Sequence, residues 1–406
     1  MSLYLMFLFA YEREMPLIYS GVMPPEPKLR GLFVIHTLVW RDSHLNLEHY
    51  GWNTDWQQKW LQKDRKQHVP GRIVSDYGQM YRVWTAAGEV WGEVSGKLKH
   101  EHQDRSELPA VGDWVEIQVL DQEERVIIHG VLERKTCISR QAAGVATVNE
   151  QVIASNVDTL FLVSSLNDDF NVRRMERYLI MAWNSGVNPV ILLSKADLCP
   201  DAELKVAEME GAAPGVPVHA ISALENIGRD IVSSYLGEGI TLALTGSSGC
   251  GKSTIVNWLS EADQQKTQGI REDDSRGRHT TTHRQLFLLP QGGIMADTPG
   301  MRELRLFEDE GGLAQAFSDI EEIGVRCRFA DCKHEGEAGC AVREAVEAGE
   351  LEERRLFNYH KTQRELKFQA VKEARSRRKA DPKGRGSKSG APRKSSSYWT
   401  KQLMDE

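Results

Sequence analysis

Residues 243–254 read ALTGSSGCGKST, and Gly246 to Ser253 within them fit G-x-x-x-x-G-K-[ST]. The glycines let the backbone curl so that successive N–H groups converge on phosphate oxygens at the start of a helix. Lys252 would neutralise the β and γ phosphates of a nucleotide, and Ser253 would ligate Mg²⁺. An apolar run, ITLALT, leads into the loop, and STIVNWLS follows with a helical pattern. A coincidental glycine-rich turn has no reason to carry both flanks. The reading is strand, phosphate loop, helix, with Gly246, Ser247, Ser248, Gly249, Cys250, Gly251, Lys252, Ser253 and Thr254 around the phosphates.

Working outward, DTLFLVSS, NPVILLSKADL, QLFLLP and GIMADTPG are continuous apolar runs, and NVRRMERYLIMAWNSG between them is amphipathic. Such alternation over residues 151–310 predicts a parallel sheet covered by helices on both faces. In MADTPG, Asp297 ends a strand where a carboxylate can support the Mg²⁺ shell, and Gly300 can offer its N–H to the γ-phosphate. GRHTTTHR carries three threonines; Thr281 is assigned to the metal shell, with Thr280 and Thr282 as open alternatives. Ser194, Lys195, Ala196 and Asp197 form SKAD. The Asp197 carboxylate only accepts, which suits the N1–H and N2 amino donors of guanine; adenine offers no such pair. Lys195 would lie along the base, and Ser222 and Ala223 in HAISALEN would cap O6 with a backbone N–H. SKAD alone is also compatible with an ordinary strand-to-helix turn. Together these motifs predict GTP as substrate, but in an unusual order: base reader, cap, phosphate loop, threonines, DTPG. Joining the ends of an ordinary GTPase domain and cutting elsewhere gives that order, and nearby surface termini make it tolerable. DTPG, which responds to the γ-phosphate, then leads directly into the C-terminal region.

The flanks carry other textures. GRIVSDYGQMYRVWT, EVWGEVSG, DWVEIQVL and RVIIHGVLER are short β-like runs, which predict a small barrel, OB-like or SH3-like, over residues 71–150. In DWVEIQVL, Val115, Ile117 and Val119 alternate with Trp114, Glu116 and Gln118. Arg134, Lys135 and Arg140 would supply phosphate contacts if the barrel binds RNA; a barrel that only docks on its neighbour is equally compatible. Trp52, Trp56 and Trp60 recur every four residues, one face of a short helix and the pattern of a packing stripe. Cys327, Cys332, His334 and Cys340 offer three thiolates and an imidazole, the donor set of a closed tetrahedral structural zinc site. Buried structural cysteines are the other reading.

The chain has 406 residues and a net charge of −7. Residues 367–394 hold eleven Lys or Arg against Glu373 and Asp381, a net of +9, which leaves −16 on the rest. A basic tail on an acidic body points to an anionic partner, or else to a merely solvated end. Scattered cysteines suit a reducing cytosol. The apolar N-terminal run MSLYLMFLFAYEREM falls well short of the ~20 residues needed to span a bilayer and lacks a basic leader.

The order SKAD, SAL, GSSGCGKS, GRHTTT, DTPG, followed by the Cys/His cluster, resembles the circularly permuted GTPases that mature the small ribosomal subunit, the RsgA/YjeQ family. QVIASNVDTLFLVSS, FNVRRMERYL and HEGEAGCAV also look like family segments, and the resemblance covers roughly residues 45–365. It implies a multidomain protein: an OB-like barrel, a circularly permuted P-loop α/β GTPase domain and a helical domain in which Cys327, Cys332, His334 and Cys340 bind zinc. It implies GTP hydrolysis stimulated by the small subunit, with the rRNA as partner, in a monomeric cytoplasmic protein. Residues 1–70 are expected to be a partly helical or disordered extension, 311–366 the zinc domain and 367–406 the basic tail. Ser194 stands where Asn or Thr is commoner and Cys250 where Val is usual. The position after DTPG is Met301, which cannot orient water, so intrinsic turnover is expected to be slow. His279 is the internal candidate for a catalytic group; a loop histidine that touches rRNA is the competing reading. Two other functions compete: a metabolic P-loop ATPase or kinase, which Asp197 disfavours, and a passive RNA-binding protein that holds GTP as a structural ligand.

Overall fold

Thr54–Leu61 form a helix (α1) because Asn53 caps it, its side chain accepting from the N–H groups of Asp55 and Trp56. The computed structural model describes residues 47–62, 65, 68–102, 104–120, 125–141, 150–167, 169–260, 284–297 and 310–380, all within the unit Ser43–Glu406. On α1 the expected stripe is a packing face: Trp56 and Trp60 are buried with Trp52 against Trp114. Trp52 meets Trp114 edge-on with ring centroids 4.8 Å apart.

Next come β1 (Val69–Asp76), β2 (Met80–Thr85), β3 (Gly88–Val94), α2 (Gly96–Glu101), β4 (Trp114–Val119) and β5 (Arg125–Val131). β1 pairs with β2 along one half and with β4 along the other, which closes a five-stranded barrel in the order β1-β2-β3-β5-β4. β3 and β5 run parallel and the other barrel pairs antiparallel. This Greek-key path is the OB arrangement rather than the SH3-like one. Val115 and Ile117 point into the barrel as their alternation requires, yet Trp114 on the opposite face is also fully buried. The tryptophans of α1 cover it, a tertiary effect that the period of two does not carry.

A hairpin of β6 (Cys137–Gln141) and β7 (Glu150–Ser155) leads into the largely parallel sheet. There follow β8 (Thr159–Ser165), α3 (Val172–Asn184), β9 (Asn188–Ser194), α4 (Ala202–Ala212), β10 (Val218–Ala220) and α5 (Arg229–Ser233). The rest of this sheet region comprises β11 (Thr241–Gly246), α6 (Lys252–Leu259), β12 (Gln285–Leu288) and β13 (Ile294–Asp297). The strand order is β10-β9-β8-β11-β13-β12, parallel throughout except for β12. The phosphate-loop strand β11 thus lies inside the sheet although it comes late in the chain. Counted from β11, the order becomes 6-5-4-1-3-2, the doubly wound GTPase sheet with its chain ends moved. One pairing, Ser75 with Gln285, joins it to the barrel.

The C-terminal region packs α7 (Glu310–Ala316), α8 (Ser318–Gly324), α9 (Ala341–Glu347) and α10 (Glu353–Ala380) over one face. Phe317, Ile320, Val342 and Tyr359 share a single apolar cluster with Met175, Leu179 and Ile180 of α3. On the other face Ile255 and Leu259 of α6 pack with Phe161, Leu192 and Leu242. Both faces are covered, as continuous apolar strands demand. Among the described residues no helix is long and apolar enough to cross a membrane.

Candidate nucleotide site and metal cluster

In a parallel sheet every strand ends on the same edge, and ligands bind outside that edge. β9 ends at Ser194, β10 at Ala220, β11 at Gly246 and β13 at Asp297. The residues expected to read the base, cap it, cradle phosphate and support a metal are therefore brought to one rim by topology alone. Register supports it: Gly246 pairs with Val163, which pairs with Leu192, and Ala243 pairs with Ala296.

The phosphate loop needs its glycines for space. Gly246 has φ 153°, and a Cβ there would lie 2.2 Å from the Val163 carbonyl oxygen. Gly249 and Gly251 adopt the left-handed conformation, and Gly251 caps α6. The Lys252 ammonium donates to Gly246 O at 2.9 Å and also to Ser247 O, so it is curled into the loop it serves. Ser253 and Thr254 are exposed on the first turn of α6. Cys250 is buried among Val163, Leu192 and Ile255, where a thiol substitutes readily for an aliphatic side chain.

The reader is tied directly to this loop. The Ser194 hydroxyl donates to Cys250 O at 2.6 Å, and Lys195 Nζ donates to Gly249 O at 2.8 Å. Lys195 is itself left-handed (φ 61°), turning Ala196–Leu198 back over the sheet edge. Ala196 N–H donates to Ile221 O at 3.1 Å, which links reader to cap, and Asp197 is exposed at the turn. In the cap, the Ser222 N–H donates to Ile227 O at 3.1 Å. Asp297 is exposed at the end of β13. His279, Thr280, Thr281, Thr282 and Gly300 lie outside the described residues.

One residue escaped the motif reading. Asp169, in the loop after β8, accepts from the Ser247 hydroxyl of the phosphate loop and pairs with Arg174 of α3. Partial burial would raise its carboxyl, but hydrogen bonds from Ser247 and Arg174 outweigh that and hold it below the ordinary carboxylate range. SLNDDF has no signature; only the adjacency of β8 and β11 places it there. Arg134 needs a correction. It donates to both Asp113 oxygens (2.8 and 2.7 Å) and to Ser106 O and Leu108 O, so it is a structural tie. Lys135 likewise pairs with Asp55 at 2.8 Å.

The Cys/His cluster is assembled between α8 and α9. One ligand atom from each of Cys327, Cys332, His334 and Cys340 lies within 4.8 Å of every other. Cys327 Sγ is 4.0 Å from Cys340 Sγ, and His334 Nδ1 is 3.6 and 3.4 Å from these two sulfurs. A tetrahedral Zn²⁺ with Zn–S of ~2.3 Å and Zn–N of ~2.0 Å needs S···S near ~3.8 Å and N···S near ~3.5 Å. The donor set fits zinc. Glu337 braces the intervening turn, accepting from the N–H groups of Lys333 (2.9 Å), Glu335 (2.9 Å) and Gly336 (3.0 Å).

A phosphate loop on a central strand, a guanine-type reader hydrogen-bonded to it, and a chain order in which the reader comes first define a circularly permuted P-loop GTPase. Residues 131–307 match the RsgA GTPase family. Small ribosomal subunit biogenesis GTPase RsgA 2 of Lactiplantibacillus plantarum is 44% identical over 327 residues, 80% of this chain and 91% of that protein. The RsgA of Methanosarcina acetivorans is 44% identical over 308 residues, 75% of this chain and 81% of that one. Among solved structures, YjeQ from Thermotoga maritima aligns with a TM-score of 0.57 at 28% identity, over 74% of this chain and 98% of that one. YloQ, described as a circularly permuted GTPase, aligns with a TM-score of 0.56 at 25% identity, over 75% and 97%. The chain belongs to the RsgA family of small-ribosomal-subunit biogenesis GTPases.

Proposed function

We propose that this GTPase binds the small ribosomal subunit through its rRNA and hydrolyses GTP to GDP and phosphate under stimulation by the subunit. The observation that carries the nucleotide half is the pair of bonds from Ser194 and Lys195 to the carbonyls of Cys250 and Gly249. They fix base reader and phosphate loop as one rigid cradle. In it Asp197 accepts from guanine N1–H and the N2 amino group, while the Ala223 N–H caps O6. Lys252 leaves its loop carbonyls for the β and γ phosphates, and the backbone from Ser247 to Lys252 supplies N–H donors. Ser253, Asp297 and one of the GRHTTT threonines, Thr281 in our assignment, are the residues suited to hold Mg²⁺. Held there, Mg²⁺ would supply positive charge against the negative charge that develops on the phosphates during hydrolysis. His279 is the internal candidate for assisting the attacking water, and Gly300 the γ-phosphate sensor.

Cys327, Cys332, His334 and Cys340 are the residues that would hold structural zinc. With all four donors from protein, the site has no open position and serves rigidity rather than catalysis. The subunit as partner is supported by the names of the relatives and by the basic stretch that α10 begins. Titration calorimetry with GDP and ADP tests the cradle. Tight binding of GDP with ADP at least about a hundredfold weaker is expected, with loss of GDP binding in Lys252→Ala. Equal affinity for the two would refute guanine reading.

A further inference from the structure

A cleft of about 570 Å³ opens between the start of α3 and the exposed side of α10. Arg173, Arg174 and Arg177 line it from α3, and Arg354 and Lys361 from α10; its only lining carboxylates are Glu208 and Glu365. Five cations against two anions leave the walls at +3. Arg354, Lys361 and Glu365 follow one another at helical spacing, and Arg173 and Arg177 are one turn apart, so each helix presents a stripe to the gap. Phe170 lines the cleft, half-buried against the core, with Lys205 over its ring at 5.1 Å.

Two explanations compete. A purely structural ion-pair seam accounts for Arg173 at 3.2 Å and Arg177 at 3.9 Å, both sharing Glu365. Arg174 is likewise paired, with Asp169, but the seam accounts poorly for Arg354 and Lys361. Arg354 reaches Glu208 only at 3.7 Å with 72% of its side chain exposed, and Lys361 lies over the Phe357 ring at 6.0 Å rather than against a carboxylate. Exposed pairs of this kind contribute little and are readily exchanged. The charged wall also differs from small-molecule pockets, which are mostly apolar. The N-terminus of α3 adds its partial positive charge, and Arg364 and Lys367 continue the basic line along α10 beyond the cleft. A repeating polyanion fits this line better than a compact ligand.

We infer that the α3–α10 cleft is a docking site for an RNA phosphodiester backbone. The inference rests on the reading that the protein binds small-subunit rRNA and adds where. Arg174 gives the site a route to the nucleotide. It lines the cleft and pairs with Asp169, which accepts from Ser247 of the phosphate loop.

The test compares the full-length protein with an Arg354→Glu, Lys361→Glu double variant, since neither residue touches the nucleotide site or the buried ion pairs. The charge-retaining Arg354→Lys, Lys361→Arg variant and a thermal melt control for folding. Binding is measured across a salt series to purified small subunits and, separately, to deproteinised small-subunit rRNA. We expect the Glu variant to bind both at least about tenfold more weakly, with a salt slope shallower by about two, and the conservative variant to match wild type. Unchanged affinity and slope on rRNA would overturn the inference. Loss on the subunit alone would overturn it too, by assigning the cleft to a ribosomal protein. If wild type fails on subunits yet the Glu variant loses rRNA binding, the ribosomal reading falls and the cleft stands.

Discussion

Ser194 shows how one departure from a family pattern is absorbed. The first position of the reader bonds the phosphate loop, and a buried hydroxyl reaching Cys250 O at 2.6 Å supplies that bond. In the proposed reading, base discrimination falls instead to Asp197, whose carboxylate accepts and cannot donate. Replacing it with Asn exchanges one acceptor for a donor, which suits the extra carbonyl of xanthine. Each lost hydrogen bond to a charged group costs about 1.5–3 kcal/mol. Asp197→Asn should therefore weaken GDP by roughly tenfold to a hundredfold and strengthen XDP, checked by competitive displacement of a fluorescent nucleotide. A variant that loses both equally would show that Asp197 holds the turn rather than reads the base.

At the scale of elements, the turn between His334 and Cys340 depends on Glu337. Its bonds to the N–H groups of Lys333, Gly336 and Glu335, the first of these foremost, pull the carboxyl down from 4.5 to about 2. A depressed carboxyl stabilises the fold above its ordinary value, and that contribution fades as pH falls from about 4.5 through about 2. At neutral pH, Glu337→Ala should lower zinc affinity by roughly tenfold, since outer partners orient ligands; chelator competition reads this directly. Elements with local chemistry were legible in the chain. The phosphate loop, the apolar strands and the four zinc donors each declare themselves by residue type and spacing. Contacts made only by packing were not. Trp114 alternates as a surface residue but is buried by α1, Arg134 looks like a phosphate contact but is bound to Asp113, and Asp169 carries no motif at all.

Across the whole molecule, two buried arginines hold the modules to the GTPase sheet. Arg72 of the barrel donates to Thr241 Oγ1 at 2.9 Å and Asn156 O at 3.3 Å, at the root of the phosphate-loop strand, and burial lowers its pKa to about 10. Arg355 of α10 meets Glu176 of α3 at 2.8 Å and Asp319 at 2.9 Å, and donates to Ala212 O and Ala316 O. Arg355→Ala leaves Glu176 buried without its partner, so denaturant unfolding should show a loss of about 3–5 kcal/mol. A loss below about 1 kcal/mol would mean that the helical module is held by apolar packing alone.

These joints make α3 the beam between the phosphate loop and the C-terminal helices. Its first turn lies beside the phosphate loop through Asp169, its middle carries Glu176, and the helices after DTPG pack along it. In the proposed reading, permutation places the γ-phosphate-sensing segment just before those helices in the chain, so nucleotide state and subunit docking would act on the same body. Phosphate release from GTP, with ATP as control, in the presence and absence of purified small subunits tests this most directly. The account predicts slow release alone and an acceleration of at least about tenfold that requires both GTP and the subunit. Tight GTP binding with no acceleration by the subunit would contradict it.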